Sequence, residues 1–81
     1  MKMHKKLVHR ALKLKSTRDS YEFSREISDD ELEELIKLSE ILNRALNIIF
    51  NEKTRWALVF RIQFINETIQ FKQGIKQFNI K

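Results

Sequence analysis

The stretch from Ser28 to Phe50, SDDELEELIKLSEILNRALNIIF, constrains the fold more than any other part of the chain. Ile27-Ser28-Asp29-Asp30-Glu31-Leu32 is a complete helix start. Ser28 is an N-cap acceptor, Glu31 three residues on can reach back to the Ser28 amide, and Ile27 and Leu32 are spaced as a hydrophobic staple. The acidic first turn suits the positive end of the helix dipole. At the helical period Glu33, Lys37, Glu40, Asn43, Arg44 and Asn47 gather into one polar stripe. Leu32, Leu35, Ile36, Leu38, Ile41, Leu42, Ala45, Leu46, Ile48, Ile49 and Phe50 fill the rest. That apolar arc covers roughly 240°, where a helix with one core-facing side needs only ~100°. A central helix over 28–50, covered from more than one direction, is the expectation.

Beyond this helix the period changes. Asn51-Glu52-Lys53 reads as its end, and Trp56, Leu58, Phe60, Ile62 and Phe64 then share one parity. Ala57, Val59, Arg61, Gln63 and Ile65 share the other, the pattern of a strand with one apolar face over Arg55–Ile65. Asn66-Glu67 and Gln73-Gly74 are turn positions, the second the better because glycine tolerates positive φ. Two-residue hairpins at both sites pair Phe64 with Ile69 and Ile62 with Phe71, then Ile69 with Phe78 and Phe71 with Lys76. A three-stranded meander over 55–81 results, with Trp56, Leu58, Phe60, Ile62, Phe64, Ile69, Phe71, Phe78 and Ile80 on one face. Glu67 is a poor second residue for a type I′ turn. A continuous helix through Leu58, Ile62, Ile65 and Ile69 is the rival reading, opposed by the β-branched and aromatic content.

Ahead of the central helix, Met3–Lys15 reads better as helix than as strand. Leu7, Val8, Ala11, Leu12 and Leu14 fall on one side, and Lys2, Lys5, Lys6, His9, Arg10 and Lys13 on the other. Ser16–Ser20 has loop composition, and Tyr21–Ile27 alternates as a short strand. The expected fold is therefore α+β, in the order α-β-α-β-β-β. It is one domain over 1–81: a basic N-terminal helix or arm at 1–18, the central helix at 28–50, and the β-meander at 55–81.

Charge is distributed along this order unevenly. Met1–Arg18 holds seven Lys and Arg and no acid, Asp19–Glu40 holds nine acids against Arg25 and Lys37, and Asn43–Lys81 holds seven bases against two acids. A basic arm and a basic C-terminal half flank an acidic segment, which suits a polyanionic partner or head-to-tail attraction between copies. A chain of 81 residues buries only about 60–65% of its unfolded surface. It has no cysteine, so no disulfide or zinc–thiolate site reinforces it, and association is the remaining source of buried area. Lack of cysteine fits a cytoplasmic setting. No apolar run reaches the length of a membrane span, and the lysine-rich N-terminus has no apolar core behind it, so it does not read as a secretory signal.

Catalytic chemistry finds little support. His4 and His9 are five apart, whereas a helical metal-binding pair wants a spacing of four, and they read as exposed members of the basic arm. The acids at Asp29–Glu34 are explained by capping. The serines form no nucleophile elbow, and there is no phosphate-binding glycine motif. The expectation is a non-enzyme with no catalytic residue, metal, cofactor or small-molecule substrate.

Two surfaces remain as candidates for nucleic acid. Lys5, Lys6, Arg10, Lys13 and Arg18 on the N-terminal helix would contact phosphates, and Arg55, Arg61 and Lys72 on the sheet would form a second basic surface. Every aromatic of the strands falls on the apolar face, which places Trp56 in the core or an interface and leaves no ring for stacking on bases. Membrane docking of the first helix lacks an aromatic anchor. The surplus apolar arc of the central helix, at Leu38, Ile41, Ala45 and Ile48, is an interface, with a symmetric dimer the commonest solution. The leading expectation is a small, dimeric nucleic-acid-binding protein of DNA or RNA. The alternative is a protein-binding modulator, an inhibitor or regulatory subunit acting through the apolar face or the acidic helix start. Its Ile, Lys, Asn and Phe usage suits a phage, plasmid or archaeal-virus accessory protein.

Overall fold

The computed structural model describes residues 5–79, with side chains to residue 74. The expectations that involve Lys2, Met3, His4, Ile80 and Lys81, and the side chains of Lys76 and Phe78, lie outside the described residues. The described residues form four helices: α1 Lys5–Leu12, α2 Thr17–Glu26, α3 Asp29–Leu46 and α4 Glu52–Asn79. Among the described residues there is no strand, so the expected α+β fold is corrected to an all-α one.

The helix start at Ser28 forms as its sequence dictates. The Glu31 amide donates to Ser28 Oγ at 3.2 Å, and the Ser28 amide donates to Glu31 Oε1 at 2.9 Å. The staple residues Ile27 and Leu32 are both buried. The helix stops at Leu46, four residues before Phe50, because its last turn tightens. The Asn47 amide donates to the Arg44 carbonyl and the Ile48 amide to the Ala45 carbonyl, each at 3.1 Å. The Arg55 guanidinium then reaches back from α4 to the Leu46 carbonyl and, at 3.1 Å, to that of Ile49.

Two N-caps replace features expected to be loop and strand. Ser16 Oγ accepts from the Asp19 amide at 3.1 Å and starts α2, so Ser16–Ser20 is a cap and first turn and Tyr21–Ile27 is largely helix. The buried face of this helix is Ser20, Phe23 and Ser24, closed by Ile27 at its C-cap. Half of that face is serine, which hides the helical period from a hydrophobicity pattern. Asn51 Oδ1 accepts from the Thr54 amide at 3.0 Å, so Asn51-Glu52-Lys53 begins a new helix.

The meander at 55–81 is replaced by α4, and its turns at Asn66-Glu67 and Gln73-Gly74 are helix interior. The reason for the false alternation is that α4 carries two apolar rows. Ile65 and Ile69 enter the core with Leu32, Leu35 and Leu38 of α3, continuing the row through Leu58 and Ile62. On another face Phe64 and Phe71 meet α2: Ser20 Oγ donates to the Phe64 carbonyl at 3.0 Å, and the Tyr21 and Phe71 rings meet edge-on at 5.5 Å. The rows Trp56–Phe60–Phe64 and Leu58–Ile62, each at helical spacing, interleave to mimic a period of two.

The helix expected over Met3–Lys15 forms as the shorter α1, which packs on both α3 and α4 through Leu7 and Ala11. Leu35 and Ile65 are fully buried at the centre, each stabilising the fold by about 1.5–3 kcal/mol. At 1.5 Å per residue α4 is roughly 42 Å long and α2 roughly 15 Å. Much of α4 therefore extends past the helix that covers it.

Candidate functional site

The eight basic candidates do not form one surface. Arg10 pairs with Glu26 and lies over the Phe23 ring, 4.8 Å from its centroid. Arg18 pairs with Glu22 at 3.2 Å, and Arg55 holds the end of α3. Lys5 and Lys6 border a dip that also contains Glu31. Lys72 is half-buried, roughly 16 Å along α4 from Arg61 at helical rise. The structure brings together Lys13 and Arg61, and adds Lys15, which the sequence pattern alone does not single out.

These three cations line a groove between α4 and the segment joining α1 to α2. Its walls are Leu12, Lys13, Leu14 and Lys15 on one side and Ala57, Phe60, Arg61 and Phe64 on the other. No carboxylate is among its lining residues. The neighbouring groove between α1 and α2 differs, because there Arg10 and Lys13 face Asp19, Glu22 and Glu26. Acids of α2 thus offset the N-terminal side of the arm and leave the α4 side positive.

Local hydrogen bonds hold the connecting segment in place. The Lys13 amide donates to the Arg10 carbonyl at 3.1 Å, and the Lys15 amide to Asp19 Oδ2 at 3.1 Å. Ser16 caps α2, and Thr17 Oγ1 donates to Glu67 Oε1 at 2.9 Å, tying α2 to α4 just below the groove. Lys13 and Lys15 therefore sit on a short, braced connection.

Of the two places expected for Trp56, core or interface, its exposure removes the first. Trp56 is 58% exposed and Phe60 54% exposed, so neither is a core residue. Their ring centroids are 6.2 Å apart with planes tilted by 36°. A strand would put every ring on an inner face; in a helix Trp56 and Phe60 lie on the same side as Phe64 but beyond the reach of α2. Their exposure is legible only once the i, i+4 row is recognised.

Of the expected interface residues, Leu38 is buried in the core and Ala45 is partly buried. Ile41 is 50% exposed and Ile48 74%, and Phe50, not among the expected interface residues, is 91% exposed beside them in sequence. Glu34, within the acidic helix start, is buried, and its Oε2 has no hydrogen-bond partner. Among the described residues no group of three or more His, Cys, Asp or Glu side chains is placed to hold a metal, and His9 is exposed. No helix among them is long and apolar enough to cross a membrane.

The fold and groove define an all-helical protein with a cationic cleft lined by the exposed Phe60, whose ring neighbours that of Trp56. Compared with known proteins, the chain matches no protein family, no curated protein and no solved structure.

Proposed function

We propose that the chain is a non-enzymatic nucleic-acid-binding protein of the cytoplasm, with its contact surface in the groove between α4 and the α1–α2 connection. The observation that carries this reading is the convergence of Lys13, Lys15 and Arg61 on a groove without a lining acid, in a chain of net charge +5. Cations held close together on a braced backbone release counterions when a phosphate chain replaces them. Arg10, Arg18 and Arg55, engaged within the chain, take a secondary part. Fluorescence anisotropy with labelled oligonucleotides tests the proposal. Affinity present at ~50 mM salt and falling steeply by ~200 mM supports it, and absence of binding or indifference to salt refutes it.

A separate observation favours a second reading. Ile41, Ile48 and Phe50 are exposed at the end of α3 and in the connection to α4, a surface suited to a second copy or another protein. Dimerisation there is compatible with the first reading. A stoichiometric protein partner retained after nuclease treatment would instead favour the modulator.

A further inference from the structure

We propose that the ligand of the cationic groove is single-stranded nucleic acid, with bases stacking on Trp56 and Phe60 while Lys13, Lys15 and Arg61 hold the phosphates. The inference rests on the nucleic-acid reading above and names its substrate class.

Three observations lead to it. The first is the uncovered continuation of one helix face. Along the row Trp56, Phe60, Phe64, the last residue is half-buried where α2 meets the backbone of α4, and the first two are more than half exposed. Covering two large rings that the folded chain leaves in water would gain apolar burial for a partner, and a planar aromatic group suits them.

The second is the geometry of the rings. At 6.2 Å between centroids and a 36° tilt, they are not stacked face to face on each other, so their faces remain available to other rings. Every base has a π-face, but a duplex hides those faces and shows only base edges in its grooves. Exposed rings gain little from a duplex and much from an unstacked strand.

The third is what the groove lacks. Between its cations it presents Leu12, Ala57, Phe60 and Phe64, none of which can read a base edge by hydrogen bonding. Cations beside apolar rings match a strand whose phosphates and bases separate to opposite sides. Charge complementarity favours this occupant over a symmetric second copy of the chain, which would bring its own three cations to the same place.

Trp56 is the chain's one tryptophan, so intrinsic fluorescence reports on the site. The full chain is titrated with an unlabelled oligothymidylate of about 15 nucleotides, within the range of known single-strand site sizes, and with a duplex of equal length. The expected result is quenching of Trp56 by the single strand, with affinity at least ~10-fold above that for the duplex. Phe60→Leu should weaken the single strand by about 5- to 100-fold and the duplex by distinctly less. Equal or tighter duplex binding, or single-strand binding without quenching, overturns the inference and leaves the nucleic-acid reading standing. No binding to either form overturns both. A change in Trp56 emission with protein concentration alone assigns the rings to a second copy and also overturns it. Phe60 is exposed, so the variant is expected to keep its helical circular dichroism, and the comparison of single strand with duplex on the unaltered chain decides if it does not.

Discussion

Ser20 donates its hydroxyl to the backbone carbonyl of Phe64 at 3.0 Å, and Ser20 itself has no exposed surface. Ser24 and Thr68 are also fully buried, so α2 and α4 meet through small side chains that let two backbones approach closely. Thr68 Oγ1 donates to the same carbonyl at 2.9 Å, which leaves it satisfied if Ser20 is lost. Ser20→Ala should therefore cost only about 1 kcal/mol. Ser20→Leu should cost about 2–3 kcal/mol, because the seam has no room for a larger side chain. Urea unfolding followed by circular dichroism gives both values. A leucine tolerated without loss would mean that α2 does not lie against α4 at Ser20.

The capping box makes a second measurable contribution. Ser28→Ala removes the acceptor of the Glu31 amide and should lower stability by about 1 kcal/mol, within the usual range for N-caps. Thermal unfolding of the two proteins side by side would show it, and an unchanged midpoint would count against the cap.

Gly74 separates the helical and hairpin readings of the C-terminal half. It lies inside α4, no glycine among the described residues has positive φ, and a Cβ built there meets nothing within 4 Å. Gly74→Ala should raise stability by about 0.5–1 kcal/mol by reducing the freedom of the unfolded chain. A glycine at the positive-φ position of a turn would instead lose stability on the same change.

How far the sequence could lead is clear from particular residues. Ser28, Glu31, Ile27 and Leu32 announce α3 because capping chemistry is local and needs no tertiary information. Ser16 and Asn51 carry the same kind of signal for α2 and α4, but turn composition around them points to loops. The strand reading of Trp56–Phe64 fails because two apolar rows at helical spacing, the more exposed Trp56–Phe60–Phe64 and the more buried Leu58–Ile62, interleave and imitate a period of two. The scarcity of turn residues, with one glycine and no proline, is the sequence's own objection to a meander. At the candidate site Lys13 and Arg61 are legible as cations, but their juxtaposition depends on α1 and α4 packing, which no local pattern encodes. Exposure of Trp56 and Phe60 is hidden for the same reason as the fold.

The central claim is that binding resides in one groove and not in positive charge at large. Arg61 and Lys13 line that groove, whereas Arg18 is exposed and paired with Glu22 outside it. The decisive measurement compares oligonucleotide affinity at several salt concentrations for Arg61→Ala, Lys13→Ala and Arg18→Ala. The first two should each weaken binding on the order of tenfold at low salt and reduce the salt slope by about one, and Arg18→Ala should leave both nearly unchanged. Equal losses from all three would show that net charge alone drives association and would contradict the assignment of the groove.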